Sequence, residues 1–246
     1  MSRVAVVTGA ARGIGRLVAA RLHESGYRVV LADLDAEQAA KAAAALDPGH
    51  ESAVGLHVDV RDRSSFERLR DEVTARWGQA HVLVNNAGQS KVEQLMDITA
   101  ESFSGVVATN LDGAFFGCQV FGAHFADHGH GRIVNMASLA AQNGGTATGG
   151  HYAAAKGAVV TLTKVFAREL AGRGVTVNAV SPGPLDLPVT YDLIGPEAAK
   201  AIRKNIPVGD LISPGFVADT IVLLAAEHAG SVTGACWDIN GGLYMR

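Results

Sequence analysis

The chain has 246 residues, of which 48% are hydrophobic and 18% are charged. This composition is typical of a globular protein, and it excludes a disordered or fibrous chain. The 21 Lys and Arg residues and the 24 Asp and Glu residues give a net charge of −3 without a long run of either sign, so nucleic acid and anionic membranes are not expected partners. No apolar stretch approaches a membrane span, and the apolar run after Met1 is too short for a signal peptide. We therefore expect a cytoplasmic protein.

Short runs of β-branched and apolar residues recur along the chain, and each predicts a buried strand. They cover residues 4–7, 28–32, 54–58, 81–84, 132–137, 175–180 and 235–239. Segments of helical period lie between most of them, at residues 14–25, 36–46, 64–77, 103–128, 152–171 and 216–227. Strands that are apolar on both faces and alternate with helices are typical of a parallel sheet covered on both sides. We predict one doubly wound, Rossmann-type α/β domain over residues 1–246, with a seven-stranded parallel sheet.

Prolines are concentrated between Pro182 and Pro214, where the helical pattern is short. This stretch departs from the strand and helix alternation, and long excursions from a compact domain are often functional. We predict a substrate lid at about residues 185–214.

A glycine-rich turn, Thr8-Gly-Ala-Ala-Arg-Gly-Ile-Gly15, follows the first predicted strand. In such a turn Gly9 permits a tight bend, Gly13 lets the backbone approach a pyrophosphate, and Gly15 lets helix and strand pack closely. The N-terminus of the next helix attracts the anion. The pattern predicts a dinucleotide site that includes Ile14, although three glycines alone are also compatible with a plain turn of small residues.

Asp33 ends the second predicted strand, 24 residues after Gly9. A carboxylate at this place accepts hydrogen bonds from an adenosine ribose and repels a 2′-phosphate, which favours NAD over NADP. Asp33 is also compatible with a simple helix cap. Arg12 argues in the other direction, because a guanidinium in the glycine turn would hold a 2′-phosphate. We give Asp33 the greater weight and predict NAD as the cofactor.

Five motifs stand in an order and at separations that resemble the short-chain dehydrogenase/reductase family in its single-domain branch. They are the glycine turn, Asn85-Asn-Ala-Gly88, Ser138, Tyr152-x-x-x-Lys156 and Pro182-Gly183. The resemblance covers essentially the whole chain. It implies that Asp59 and Val60 contact adenine, that Asn86, Ala87 and Gly88 close over the adenosine side, and that Pro182, Gly183 and Leu185 border the nicotinamide.

Tyr152 and Lys156 are four residues apart in a predicted helix, so their side chains share one helix face. A nearby ammonium favours phenolate and brings the pKa of a tyrosine toward the working range of a general base. The pair alone is also compatible with an ordinary amphipathic helix. The resemblance adds Ser138, which hydrogen-bonds the substrate oxygen, and Asn110, which holds a water against Lys156 and extends a proton relay. Lys156 also binds the nicotinamide ribose.

Substrate residues are expected in the segment 138–150 and in the lid, with Ser138, Ala140, Asn143, Tyr152 and Leu187 as the predicted set. The chain departs from the family at Leu187, where relatives usually have a threonine that binds the nicotinamide carboxamide. The nearest hydroxyl here is Thr190. We expect Leu187 to line the substrate pocket instead. No metal is expected to take part.

These residues predict an NAD-dependent secondary-alcohol dehydrogenase or ketone reductase that acts on a small molecule. Two alternatives remain: an NADPH-dependent 3-oxoacyl reductase, which Arg12 favours, and a non-catalytic dinucleotide-binding protein. The apolar faces of the helices predicted at 103–128 and 152–171 indicate a homo-oligomer, by resemblance a tetramer.

Overall fold

The computed structural model describes residues 2–145 and 148–245, and its centre is one parallel sheet of seven strands. The strands follow the spatial order β3-β2-β1-β4-β5-β6-β7, with every neighbouring pair parallel. Their bounds are β1 Val4–Thr8, β2 Arg28–Asp33, β3 Ala53–His57, β4 Val82–Asn85, β5 Gly131–Met136, β6 Val175–Pro182 and β7 Cys236–Ile239. The predicted Rossmann-type fold is confirmed.

Helices cover both faces of this sheet. Their bounds are α1 Gly13–Glu24, α2 Ala36–Leu46, α3 Arg63–Trp77, α4 Ala100–Val107, α5 Gly113–Asp127, α6 Ala140–Asn143, α7 Gly150–Leu170, α8 Pro188–Ile194, α9 Pro196–Asn205 and α10 Pro214–Ala225. Among the described residues, no helix is long and apolar enough to cross a lipid bilayer.

Strand β1 shows how the sequence builds two cores. Successive side chains of a strand point to opposite faces of the sheet. Val4 and Val6 therefore pack with α3, α5 and α7 on one face, whereas Ala5 and Val7 pack with α1, α2 and α10 on the other. All four are buried, which explains why β1 has a continuous apolar run and no polar alternation.

The order of the strands reverses between β1 and β4, because β2 and β3 lie on one side of β1 and the later strands lie on the other. In open parallel sheets such a switch point leaves a crevice outside the carboxyl ends of the strands, where ligands bind. Thr8 ends β1, Asn85 ends β4 and Met136 ends β5, so the residues that follow them meet at this crevice.

The helix predicted at 103–128 is divided in the structure. A π-helical turn, Ala108–Asp112, separates α4 from α5. Within this turn Asn110 is buried, and its amide donates to the carbonyl of Val106 and to that of Gln89. Apolar periodicity alone does not reveal such a turn, since the pattern continues through it, and π turns of this kind are frequent at functional sites.

The proline-rich excursion forms helices α8 and α9 with Gly195 between them at φ 79°. Its two ends meet, because Leu185 forms an isolated parallel bridge with Ile212. Main-chain bonds from Asp186 N–H to Ile212 O, and from Ile212 N–H to Pro184 O, flank the bridge at 3.0 and 2.9 Å. The excursion therefore leaves the domain and returns to it at one place.

Candidate active site

The glycine turn after β1 is tightly packed on one side and leaves space on the other. Gly9 and Gly13 adopt φ values of 64° and 58°, which favour glycine. A Cβ on Gly15 would lie 2.2 Å from Gly9 O, so α1 approaches the turn too closely for any side chain there. At Gly13, in contrast, a Cβ would meet nothing within 4 Å. The turn is thus tightly packed at Gly15 and has open space at Gly13, the first residue of α1. Main-chain N–H groups at the N-terminus of a helix attract phosphate.

The loop after β4 is fixed beside the glycine turn. Thr8 Oγ1 accepts hydrogen bonds from the N–H groups of Asn86 and Ala87, both at 3.1 Å. In return, Asn86 Nδ2 donates to Thr8 O at 2.9 Å and to Gly9 O at 3.1 Å. These four bonds join the ends of β1 and β4 and bring residues 86–88 to the crevice.

Asp33 lies at the end of β2, and its carboxylate is held by main-chain N–H groups. Its Oδ2 accepts from Ala11 N–H at 3.0 Å, and its Oδ1 accepts from Asp35 N–H at 3.1 Å. The structure therefore brings Asp33 against the glycine turn. Arg12 is exposed at the residue that precedes α1.

Asp59 and Val60 follow β3 on the same side of the crevice. The carboxylate of Asp59 pairs with the guanidinium of Arg61 at 2.7 and 2.9 Å, which lowers the pKa of Asp59. Val60 is buried and lies close to Gly113, where an added Cβ would meet the Val60 side chain at 3.0 Å. Sequence reasoning did not include Arg61 as the partner of Asp59.

Helix α7 carries Tyr152 and Lys156 one turn apart, and Lys156 Nζ lies 5.7 Å from the centroid of the Tyr152 ring. Ser138 follows Ala137, the residue after β5, and its hydroxyl is near the Tyr152 phenol. Desolvation raises the pKa of Tyr152, and the interaction with the Ser138 hydroxyl acts in the opposite direction as the smaller effect. The sequence predicted that Lys156 would lower this pKa. In the structure, desolvation of the phenol has the largest effect on this pKa and raises it. The ammonium of Lys156 has a different hydrogen-bond partner.

That partner is a main-chain carbonyl of β5. Lys156 is buried, and its Nζ donates to Met136 O at 2.7 Å. Burial lowers the pKa of Lys156 to about 8, because the charged form loses its hydration. The lysine is thus held beside the phenol by a main-chain carbonyl, with its pKa lowered by burial.

Asn110 and Lys156 both approach Gly88. Oδ1 of Asn110 is buried and has no hydrogen-bond partner among the described residues. A Cβ on Gly88 would lie 2.8 Å from this Oδ1 and 3.5 Å from Lys156 Nζ, so only glycine fits between the two. An unpaired buried oxygen next to an ammonium is a suitable place for a water molecule.

A cavity of about 210 Å³ opens at the Tyr152 phenol. It is lined by Ser90, Ser138, Leu139, Ala140, Asn143, Gly145, Thr148, Tyr152, Pro182, Gly183, Pro184, Thr190 and Ile202. Four of the five predicted substrate residues belong to this lining, together with two predicted nicotinamide neighbours. Residues 146 and 147 of the predicted segment 138–150 lie outside the described residues.

Leu187 does not line this cavity. It immediately precedes α8, and its N–H bonds to Leu185 O at 3.0 Å. Thr190, one turn further on, faces the cavity instead. Leu185 packs against the core on the α1, α2 and α10 face. Ile202 belongs to the lid in which substrate residues were expected, whereas sequence reasoning missed Ser90, because a lone serine in a loop belongs to no motif.

The described residues contain no group of three His, Cys, Asp or Glu side chains that could hold a metal ion.

Comparison with known proteins agrees with this arrangement. A family model described as enoyl-(acyl carrier protein) reductase matches residues 9–244. An uncharacterized short-chain type dehydrogenase/reductase of Sinorhizobium fredii is 39% identical over 99% of this chain and 98% of its own length. D-threitol dehydrogenase of Mycolicibacterium smegmatis is 36% identical over 99% and 94%, and a 3-oxoacyl-[acyl-carrier-protein] reductase of Escherichia coli is 34% identical over 99% and 98%. The chain is an oxidoreductase and belongs to the short-chain dehydrogenase/reductase family.

Proposed function

We propose that the protein transfers a hydride between NAD(H) and a secondary alcohol or its ketone, with Tyr152 as the general acid and base. The observation that carries this proposal is the convergence of four side chains at one end of the cavity. Tyr152 and Ser138 line the cavity, and Lys156 and Asn110 lie behind the phenol. In the oxidative direction the alcohol loses a hydride and a proton, which gives the ketone, NADH and H⁺.

The residues at the crevice fit a nicotinamide dinucleotide. Gly9, Gly13, Gly15 and Ile14 would hold the pyrophosphate at the start of α1, and Asp33 would bind the adenosine ribose. Asp59, Val60 and residues 86–88 would enclose the adenosine side, while Pro182, Gly183 and Leu185 would border the nicotinamide. When bound, the oxidised nicotinamide would supply the hydride acceptor and a positive charge. An adjacent positive charge favours phenolate and so opposes the effect of desolvation on Tyr152.

The proton path uses residues of this chain. Ser138 holds the substrate oxygen, and Tyr152 takes the proton from it or returns it. Lys156 would fix the nicotinamide ribose. Asn110 Oδ1, through a water molecule, connects Lys156 with solvent.

Asp33 supports NAD as the cofactor. Two main-chain N–H groups, of Ala11 and Asp35, donate to its carboxylate oxygens and hold its side chain against the glycine turn. A 2′-phosphate placed there would meet this negative charge at short range, which opposes NADP.

The runner-up is an NADPH-dependent 3-oxoacyl reductase. The exposed guanidinium of Arg12 supports it, as does the similarity to a protein named 3-oxoacyl-[acyl-carrier-protein] reductase. The similarity to D-threitol dehydrogenase supports an alcohol substrate instead. A non-catalytic dinucleotide-binding protein would have no need of the complete set of Tyr152, Lys156, Ser138 and Asn110.

A turnover screen tests these alternatives. The purified protein and Tyr152→Phe are assayed with polyols, secondary alcohols, ketones and a 3-oxoacyl thioester, each with NAD(H) and NADP(H). We expect turnover of an alcohol or ketone with NAD(H), abolished by Tyr152→Phe. Turnover of the thioester with NADPH alone would favour the runner-up, and cofactor binding without turnover of any substrate would favour the non-catalytic protein.

Three further properties belong to the proposal. The excursion at about residues 185–214 acts as a lid over the cavity, to which it contributes Thr190 and Ile202. The protein works in the cytoplasm. It assembles into a homotetramer through the apolar faces of α4, α5 and α7.

A further inference from the structure

A buried histidine directly precedes the proposed acid/base. His151 is 0% exposed, and its Nε2 lies 2.9 Å from Oε2 of Glu93, a residue of the loop between β4 and α4. Its Nδ1 accepts a hydrogen bond from the main-chain N–H of Tyr152 at 3.0 Å. Because Nδ1 is an acceptor, the proton of the neutral ring is on Nε2 and points at the carboxylate.

Gly149 makes room for this ring. A Cβ at position 149 would lie 2.2 Å from His151 Cε1 and 2.6 Å from His151 Nδ1. The φ of Gly149 is −67°, which any residue adopts. A glycine is therefore needed here for the imidazole and for the main-chain carbonyl of Lys91, which an added Cβ would approach to 2.8 Å, and not because of its φ. Gly149 has no side chain to cap α7, and the imidazole takes over part of that role by accepting from Tyr152 N–H.

The same loop holds a second proposed catalytic residue. Alternate residues of the segment 89–93 make three bonds toward the site. Gln89 O accepts from Asn110 Nδ2 at 2.8 Å, Lys91 O accepts from Gly149 N–H at 2.9 Å, and Glu93 accepts from His151. On the other side, Ser102 of α4 donates to Glu93 and accepts from Lys91 Nζ. The segment is thus bonded to α4, to the π turn and to the start of α7.

We infer that the pair of His151 and Glu93 positions the Tyr152 phenol by fixing the first turn of α7 to the segment 89–93. The inference rests on the proposed function, in which Tyr152 is the acid and base. His151 is a positioning residue, since it acts through the main chain of Tyr152. The segment 89–93 sets the separation of Tyr152 from Asn110, because it is bonded to both parts of the site. A small misplacement of a reacting group costs about 10²-fold in rate.

Two matched pairs of variants test this. His151→Gln keeps an N–H donor near the position of Nε2, whereas His151→Asn keeps only an acceptor for Tyr152 N–H. Glu93→Gln keeps an acceptor for the imidazole, whereas Glu93→Ala removes it. Glu101→Ala, which removes an exposed carboxylate from the first turn of α4, is the control.

We expect kcat to fall between about tenfold and 10²-fold in His151→Asn and in Glu93→Ala, with KM for NAD within about twofold of the parent. His151→Gln and Glu93→Gln should recover at least half of the lost kcat on a logarithmic scale. The double variant His151→Asn with Glu93→Ala should be no slower than either single one, because both remove one interaction. A kcat near the parent value in both disruptive variants, or the absence of rescue by glutamine, would overturn the inference.

Amide hydrogen exchange of the cofactor-free protein gives a readout that needs no activity. The N–H groups of residues 152–156 should exchange at least about tenfold faster in His151→Asn and Glu93→Ala, and at the parent rate in Glu101→Ala. If the parent turns over no substrate, the proposed function fails while this measurement still decides the inference. Equal protection of these amides in the disruptive variants and the parent would overturn it.

Discussion

The carboxylate of Asp33 accepts a hydrogen bond from the main-chain N–H of Ala11 at 3.0 Å, across the gap between β2 and the glycine turn. The residue that would select the cofactor is therefore also a support of the turn that would bind its pyrophosphate. A substitution at this position changes both unless it keeps an acceptor oxygen.

Asp33→Asn separates the two roles, since the amide oxygen still accepts from Ala11 while the negative charge is lost. We expect the parent to prefer NAD, and the ratio of kcat/KM for NAD to that for NADP to fall about tenfold or more in Asp33→Asn, equivalent to about 1.4 kcal/mol. Steady-state kinetics with both cofactors measure this. Asp35→Asn is the control. A parent that prefers NADPH tenfold would mean that Arg12 outweighs Asp33.

Tyr152→Phe deletes only the phenol oxygen. We expect kcat to fall by about 10²- to 10⁴-fold, the usual contribution of general acid and base catalysis, while NADH binding measured by fluorescence is unchanged. Tyr191→Phe, at a partly exposed lid residue whose hydroxyl donates to Asp186, is the matched control. A Tyr152→Phe variant that keeps half of its activity would assign the proton transfer to another group.

Lys156 predicts a dependence of stability on pH. Burial lowers its pKa in the folded chain to about 8 from an ordinary 10.5. Between these values the unfolded chain binds more protons, so this group makes the folded state more stable as the pH rises. The free-energy cost of burying the charged Lys156 is fully present below about pH 8 and is lost by about pH 10.5.

Lys156→Met removes the ionisation and retains an unbranched side chain. We expect the free energy of unfolding of the parent, relative to that of Lys156→Met, to increase between pH 7.5 and pH 10. Urea unfolding of both proteins at the two pH values measures it, and groups common to both cancel in the difference. If the difference in free energy of unfolding between the two proteins stays constant with pH, burial of the Lys156 ammonium does not destabilise the folded protein.

The apolar faces of α5 and α7 predict a homo-oligomer, and the resemblance to the family implies that it is a tetramer. Phe115 lies 5.8 Å from Phe116 and 5.9 Å from Phe166 between ring centroids, and Val165 beside them is 53% exposed. We expect a tetramer by light scattering at micromolar concentration and smaller species for Phe115→Asp. Val208→Asp, a change at another exposed apolar residue, should leave the assembly intact. A monomeric parent would contradict the prediction.

Substitutions at Thr190 and Leu187 test which of these two lid side chains contacts the cofactor or the substrate. Thr190 lines the cavity and Leu187 does not, so Thr190→Val should raise KM for NAD or for substrate about threefold or more, the loss of one hydrogen bond. Leu187→Val should change KM for NAD and KM for substrate by less than about twofold. Kinetics on two alcohols of different bulk measure the effects. A larger effect of Leu187→Val on alcohol selectivity would place that side chain against substrate.

The sequence predicted the architecture well because the strands are buried on both faces and so stand out as apolar runs. It predicted the identity of the glycine turn and of the pair on α7 because short-range spacing encodes them. It did not predict that Lys156 donates to Met136 O, or that His151 is held by Glu93, because both contacts join residues far apart in the chain. The π turn at Asn110 was also missed, since the apolar pattern continues through it and the bond from Asn110 to Gln89 O joins residues far apart in the chain.

The bridge between Leu185 and Ile212 bears on how readily the segment between them can be replaced. The two chain ends of the excursion are already paired, so replacing or lengthening α8 and α9 adds little loop-closure entropy and leaves the sheet register untouched. The segment between Leu185 and Ile212 can therefore be replaced while the sheet is kept. Grafting the corresponding stretch of a relative between these two residues would change which molecules reach the phenol, while the machinery that moves the proton and the hydride is inherited unaltered.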